Sequence, residues 1–126
     1  MMKTHIWNDT KTFPEKVNFI DSNNVILGYD LGQSCCEHAF WTISDNPDGE
    51  NPIYDGDKLD GQEIELKDYF FDPCFHQVED GAAIFKLVCF PSLKKPDLHI
   101  RLENNHNGYY SHGFCFRGGV IVEGSI

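Results

Sequence analysis

Two short segments hold most of the residue types that can do chemistry. The first is Gln33-Ser34-Cys35-Cys36-Glu37-His38 and the second His106-Asn107-Gly108-Tyr109-Tyr110-Ser111-His112-Gly113-Phe114. On an extended chain, successive side chains point to opposite faces, so Cys36 and His38 share one face and Cys35 and Glu37 the other. A thiol beside an imidazole is the minimum for a thiolate nucleophile, which needs a partner that lowers the thiol pKa. His106 and His112 can join Asp30 or His38 as metal ligands if the fold brings them together. The plainer readings are that Cys35 and Cys36 pack as small apolar residues and that His112 is hydrogen-bonded beside a core edge covered by tyrosine.

Spacing argues against a structural zinc site, whose paired cysteines stand two to four residues apart rather than adjoining. The segment Arg117-Gly118-Gly119 lacks the Lys-Ser/Thr and the helix of a phosphate loop, and no serine sits in a Gly-x-Ser-x-Gly elbow. The expectation is therefore no catalytic residue, no metal and no cofactor. The alternative is a metal-dependent or thiol enzyme built on Cys36, His38, His106 and His112.

A third region is acidic. Residues 44–61 contain Asp45, Asp48, Glu50, Asp55, Asp57 and Asp60 among prolines and glycines, the composition of a long surface loop. A twelve-residue calcium loop is not met, because from Asp48 the fifth position is Pro52 and the twelfth Leu59. Asp48, Glu50, Tyr54, Asp55, Asp57 and Asp60 instead suit a contact with a basic protein, with Tyr54, Tyr69 or Phe70 as anchors. The opposing reading is a solvated face.

The elements that position these residues are strands. Val17 and Phe19 alternate with polar residues, Ser22-Asn23-Asn24 supplies a turn, and Val25 to Asp30 resumes the extended pattern, which predicts a hairpin. Leu98, Ile100 and Leu102 followed by a turn at 104–108 and by Tyr110, His112, Phe114 and Phe116 predict a second. Residues 39–43 and 83–90, rich in aromatic and β-branched side chains, also read as strands. A short strand is expected near Ile53-Tyr54, and residues 63–71 read as either a strand with Ile64 and Leu66 inward or a short helix, ended by Pro73. The fold class is mainly β, with antiparallel sheets in a sandwich or partly open barrel and room for one short helix.

At 126 residues the chain fits one domain, with 1–15 as a loosely packed N-terminal segment. Ten Phe, five Tyr and two Trp provide for a core and argue against disorder. A net charge of −10 opposes direct binding to a phosphate backbone and favours a basic protein partner, although it also serves solubility. No apolar run approaches the roughly 20 residues of a membrane-spanning helix. Five cysteines, an odd number, leave at least one unable to pair within the chain, and the adjacency of Cys35 and Cys36 with the absence of a secretory signal suggests reduced thiols and a cytoplasmic location, with no membrane partner expected.

The succession Leu27-Gly28-Tyr29-Asp30, Gln33-Ser34-Cys35-Cys36-Glu37 and Asn107-Gly108-Tyr109-Tyr110-Ser111-His112-Gly113-Phe114 resembles a group of small bacterial and phage-associated domains. These pair a double-cysteine-glutamate motif with a late Gly-Tyr-Tyr segment, and the likeness spans about residues 16–117. Ser34 departs from it, standing where an acidic residue is expected. The resemblance implies no activity. By analogy of size and charge, the expected function is that of a non-enzymatic acidic binding protein, of the kind of an immunity protein that covers the active site of a basic toxin such as a nuclease. A further alternative is an accessory domain.

Overall fold

The computed structural model describes residues 2–9, 15–32, 38–59, 62–105 and 111–126. Within these the chain forms β1 (Lys3–Asp9), β2 (Lys16–Asp21), β3 (Ile26–Asp30), β4 (His38–Ser44), β5 (Tyr54–Asp55), β6 (Glu63–Lys67), β7 (Phe70–Glu79), β8 (Ala82–Val88), β9 (Leu98–Asn105), β10 (Gly113–Arg117) and β11 (Ile121–Ser125). The helical residues among them are two 3-10 turns, Gly56–Lys58 and Pro91–Leu93. The protein is mainly β, as its alternating pattern predicts, and no closed barrel forms. The strands make a six-stranded sheet in the order β11-β10-β3-β2-β1-β6 and a five-stranded sheet in the order β5-β4-β9-β8-β7, with every pairing antiparallel.

The two sheets share one apolar core. Val17, Phe19, Leu27, Tyr29, Phe114 and Phe116 face inward from the larger sheet, while Trp41, Ile43, Phe71, Phe85, Ile100 and Leu102 do so from the smaller. Aromatic pairs lock the layers together: Phe19 meets Trp41 edge-on at a ring separation of 5.3 Å, and Phe116 stacks on Phe85 at 5.0 Å and meets Phe71 edge-on at 5.5 Å. Such contacts add to area burial and fix how the layers sit on one another.

The hairpin of β2 and β3 forms as expected, with Phe19 opposite Leu27. The second expected hairpin does not. β9 pairs with β4 and β8 in the smaller sheet, whereas β10 pairs with β3 and β11 in the larger, so the chain changes layer between them. Each strand does turn its predicted apolar side inward, but the inward sides belong to opposite walls of the core.

Two other expectations are corrected. Residues 3–9, assigned to a loosely packed segment, form β1, an inner strand between β2 and β6 whose Thr4 and Ile6 are fully buried. Pro73 does not end the extended structure after residue 63. A corner at Asp68 and Tyr69 separates β6 from β7, and Pro73 lies within β7 at a bulge where residues 72–75 stand opposite Lys86. β7 is an edge strand, and edges and bulges are where a sheet tolerates proline.

Candidate functional site

The acidic region is a built ledge on the edge of the smaller sheet. Ile43 pairs with Tyr54 and Thr42 with Asp55, so β5 runs beside β4, and the Ile53 amide donates to the Ile43 carbonyl at 2.7 Å. The side chain of Asp55 then caps the following 3-10 turn by accepting from the Asp57 amide at 3.1 Å. Gly56 seats that turn on the core, because a Cβ there would fall 2.4 Å from Nε1 of Trp41. Only a residue without a side chain allows so close an approach.

The preceding loop is held as firmly. Asn46 bridges it, accepting from the Glu50 amide at 3.2 Å and donating to the Glu50 carbonyl at 3.0 Å, while Ser44 Oγ donates to the Asn46 carbonyl at 2.6 Å. From β9, Arg101 donates to the Pro47 carbonyl at 3.1 Å and also meets Glu103 and Glu79, each at 2.9 Å. Burial works against its charge, yet hydrogen bonds and attraction to Glu103 and Glu79 outweigh this and hold the guanidinium above its ordinary pKa. Arg101 is thus a fixed cation under the ledge, committed to internal partners. Among the described residues no Lys or Arg pairs with Asp48, Glu50 or Asp55. Asp48, Glu50 and Asp57 are exposed, and Asp55 and Tyr54 are half-buried. Asp60 lies outside the described residues.

His38 joins this ledge to the second candidate region. Its Nε2 lies 2.7 Å from Oδ2 of Asp57, and its ring stacks on Phe40 at 4.8 Å. His38 opens β4 opposite Asn105, the last residue of β9, and Tyr29 near the end of β3 stands opposite Phe114 near the start of β10. The chain crosses between sheets after β3, β5, β6 and β9, and the strands flanking the first and last of these crossings are neighbours. Tyr29 ties this end of the layers by donating its hydroxyl to the Glu103 carbonyl at 2.8 Å.

His112, buried here, donates Nδ1–H to the Asp30 carbonyl at 2.9 Å, and its backbone exchanges hydrogen bonds with Ile126. The fold therefore brings His112 to Asp30, though to the backbone oxygen; the nearer carboxylate oxygen is 3.9 Å away. Cys35, Cys36, His106, Tyr109 and Tyr110 lie outside the described residues. Among those described, no group of three or more His, Cys, Asp or Glu is disposed to hold a metal ion. No protein family's sequence profile matches the chain, and neither a curated protein nor a solved structure resembles it significantly.

Of the anchors named from sequence, Tyr54 packs against the core from the ledge, whereas Tyr69 is buried with its hydroxyl donating to the Pro96 carbonyl at 2.7 Å, which makes it a core side chain. Sequence reasoning missed Gly56, Trp41 and Arg101 as the supports of the ledge. Gly56 between Asp55 and Asp57 read as a turn residue, and nothing local marks the indole it rests on. Of the described cysteines, Cys74 is exposed and Cys89 and Cys115 are half-buried, all as free thiols. No helix of the described residues is long and apolar enough to cross a membrane.

Proposed function

We propose that this chain is a non-enzymatic acidic binding protein that engages a basic protein through the ledge of Asp48, Glu50, Tyr54, Asp55 and Asp57, in the manner of an immunity-type inhibitor of a toxin such as a nuclease. The observation that carries the reading is a set of carboxylates on a backbone fixed by Gly56, Asn46 and Arg101, with no described Lys or Arg spent on Asp48, Glu50 or Asp55. Fixed charges lose little freedom on binding, and a field of one sign steers a partner of the other. Phosphate-binding enzymes offer such a partner, because their active sites are basic and carboxylates can take the place of phosphate.

The test is affinity capture from the host's own lysate at low and at physiological salt, with mass spectrometry of what is retained. A stoichiometric basic protein is expected, released as salt rises and no longer held by a variant with Asp48→Asn, Glu50→Gln, Asp55→Asn and Asp57→Asn. Retention of that protein by the variant with an unchanged salt response would overturn the ledge as the site.

A second reading, a thiol or metal-dependent enzyme using Cys36, His38, His106 and His112, draws on one observation. His38 opens β4 beside the end of β9, and His112 just precedes β10, whose Phe114 stands opposite Tyr29 of β3. Elemental analysis and the alkylation rate of Cys36 across pH decide it: no bound metal and a rate no faster than that of a free thiol remove its support.

A further inference from the structure

We propose that the bulge of β7 is a pH-operated gate, shut over a neutral His99 and opened when that ring takes up a proton. Leu98, Ile100 and Leu102 of β9 face the core, so His99 between them points to the outer side of the smaller sheet. There it stands opposite Ser44 of β4 and Lys86 of β8, and it is buried. Phe75, from the bulge at residues 72–75, meets its imidazole edge-on at 5.9 Å. Lys86 lies 5.1 Å from the centre of the Phe75 ring and 3.5 Å from the Asp97 carboxylate, so the aromatic cover rests against an anchored cation.

The closed site is unfit for a proton. Nδ1 of His99 is buried with no hydrogen-bond partner. A neutral imidazole can keep that nitrogen as a bare acceptor, whereas the protonated ring carries N–H at both positions and would bury a donor with nothing to receive it. The charged groups that act on the ring come from three elements: Lys86 of β8 opposes the proton, while Asp97 ahead of β9 and Asp45 after β4 favour it. From β7 it meets the uncharged ring of Phe75. Burial and Lys86 prevail over the two carboxylates and hold His99 below its ordinary 6.5. Any opening that frees the ring is therefore promoted as pH falls below that ordinary value, and the gain levels off below the closed-state value.

The bulge is the part that can give way. Ser44, His99 and Lys86 sit in continuous ladders of three strands, whereas the pairing of β7 with β8 is interrupted between Phe71 and His76 on an edge strand. The Asp72 carboxylate accepts the Cys74 amide at 3.0 Å, a bond inside the bulge that moves with it. Lifting this segment costs less than separating paired strands. It also reshapes the hollow of about 620 Å³ that Pro73, Cys74 and His76 form with Ile121, Val122 and Glu123 of β11. The gate makes this space between the edges of the two sheets depend on pH.

Hydrogen–deuterium exchange at about pH 7.5 and 5.5, with each rate referred to that of the unstructured chain at the same pH, reads the gate as the protection of residues 74–77. Protection there is expected to lie below that of β4 at both values and to fall about three- to tenfold on acidification. His99→Gln should remove most of the fall and Lys86→Met, which takes away the cation opposing the proton, should shrink it. His76→Gln, at the exposed histidine beside the bulge, should leave it in place. Thermal melts followed by circular dichroism confirm that each variant is folded. Equal protection of the wild type at the two pH values overturns the proposal. So does an undiminished fall in His99→Gln, or protection of residues 74–77 that matches β4, which would mean that His99 is reached only by unfolding the whole chain.

Discussion

The Asp21 carboxylate accepts the backbone N–H of Phe71 at 2.9 Å, joining the end of β2 in the larger sheet to β7 in the smaller. Its other oxygen accepts from the amides of Asn23 and Val25, also at 2.9 Å each, and the side chain is almost wholly buried. One carboxylate thus organises the β2–β3 turn and fastens one layer to the other. Asp21→Asn keeps the shape but replaces one accepting oxygen with a donor, leaving at least one of these amides without a partner. The expected loss of stability is about 1–3 kcal/mol. Urea unfolding should show a lower midpoint with an unchanged slope; an unchanged midpoint would mean that the bridge does not stabilise the fold.

Gly56→Ala tests how the ledge is seated. A methyl group 2.4–2.7 Å from three atoms of the Trp41 indole must move either the 3-10 turn or the ring. Overpacking of this kind costs about 1–3 kcal/mol. In a Trp7→Phe background, Trp41 is the sole tryptophan, and its emission and near-ultraviolet circular dichroism should both change. If neither changes, the turn does not rest on the ring.

His99 gives the fold a pH dependence. Its Nδ1 is buried without a hydrogen-bond partner, and Phe75 meets its ring edge-on at 5.9 Å. Burial, and after it the Lys86 charge, lowers its pKa below the ordinary 6.5. A histidine whose folded pKa is depressed binds its proton more readily in the unfolded chain. Its contribution is complete above the unfolded value and is lost as pH falls through the folded one. Unfolding free energies measured between about pH 7.5 and 4.5 should fall less steeply below the unfolded value in His99→Gln than in the wild type. Identical slopes would show that His99 is not the group responsible.

The thiols should separate by exposure. Cys74 lies exposed on the bulge of β7, while Cys89 is half-buried with its thiol 3.5 Å from the Lys95 carbonyl. Under native conditions, peptide mapping after brief treatment with iodoacetamide should find Cys74 modified before Cys89 or Cys115. Earlier labelling of Cys89 would mean that the loop over it opens readily.

The mainly β class was legible because inward and outward residues alternate, and the β2–β3 hairpin because its turn residues and both strands lie within a few positions of one another. The step from β9 to β10 was misread for the same reason. Alternation on both sides of Asn107-Gly108 looks alike whether the chain folds back beside itself or crosses to the facing sheet. The choice is made by β4 and β3, remote strands that carry no local sign of it. Composition revealed the acidic loop but not its supports, since Arg101 reaches Pro47 across the sheet and Gly56 finds Trp41 from a neighbouring strand. Ile20 and Ile26 did leave a signal: the successive apolar residues Phe19-Ile20 and Val25-Ile26-Leu27 mean a strand apolar on both faces. Of the candidate cluster, Cys36 and His106 lie outside the described residues, while His38 meets Asp57 and His112 meets the Asp30 carbonyl.

The late return of the chain to the larger sheet after β9 also sets an order of events. β3 takes its second neighbour, β10, only after every strand of the opposite sheet has been made. During synthesis β3 therefore waits with one backbone edge unpaired, and Phe71 and Phe85 wait without the ring of Phe116. A nascent chain in that condition is open to wrong pairing and to capture by chaperones, and closure through distant segments is slow. Refolding from denaturant should accordingly be governed by arrival of the last two strands, and ribosome-bound chains halted before residue 113 should be sensitive to protease where the full-length chain is not.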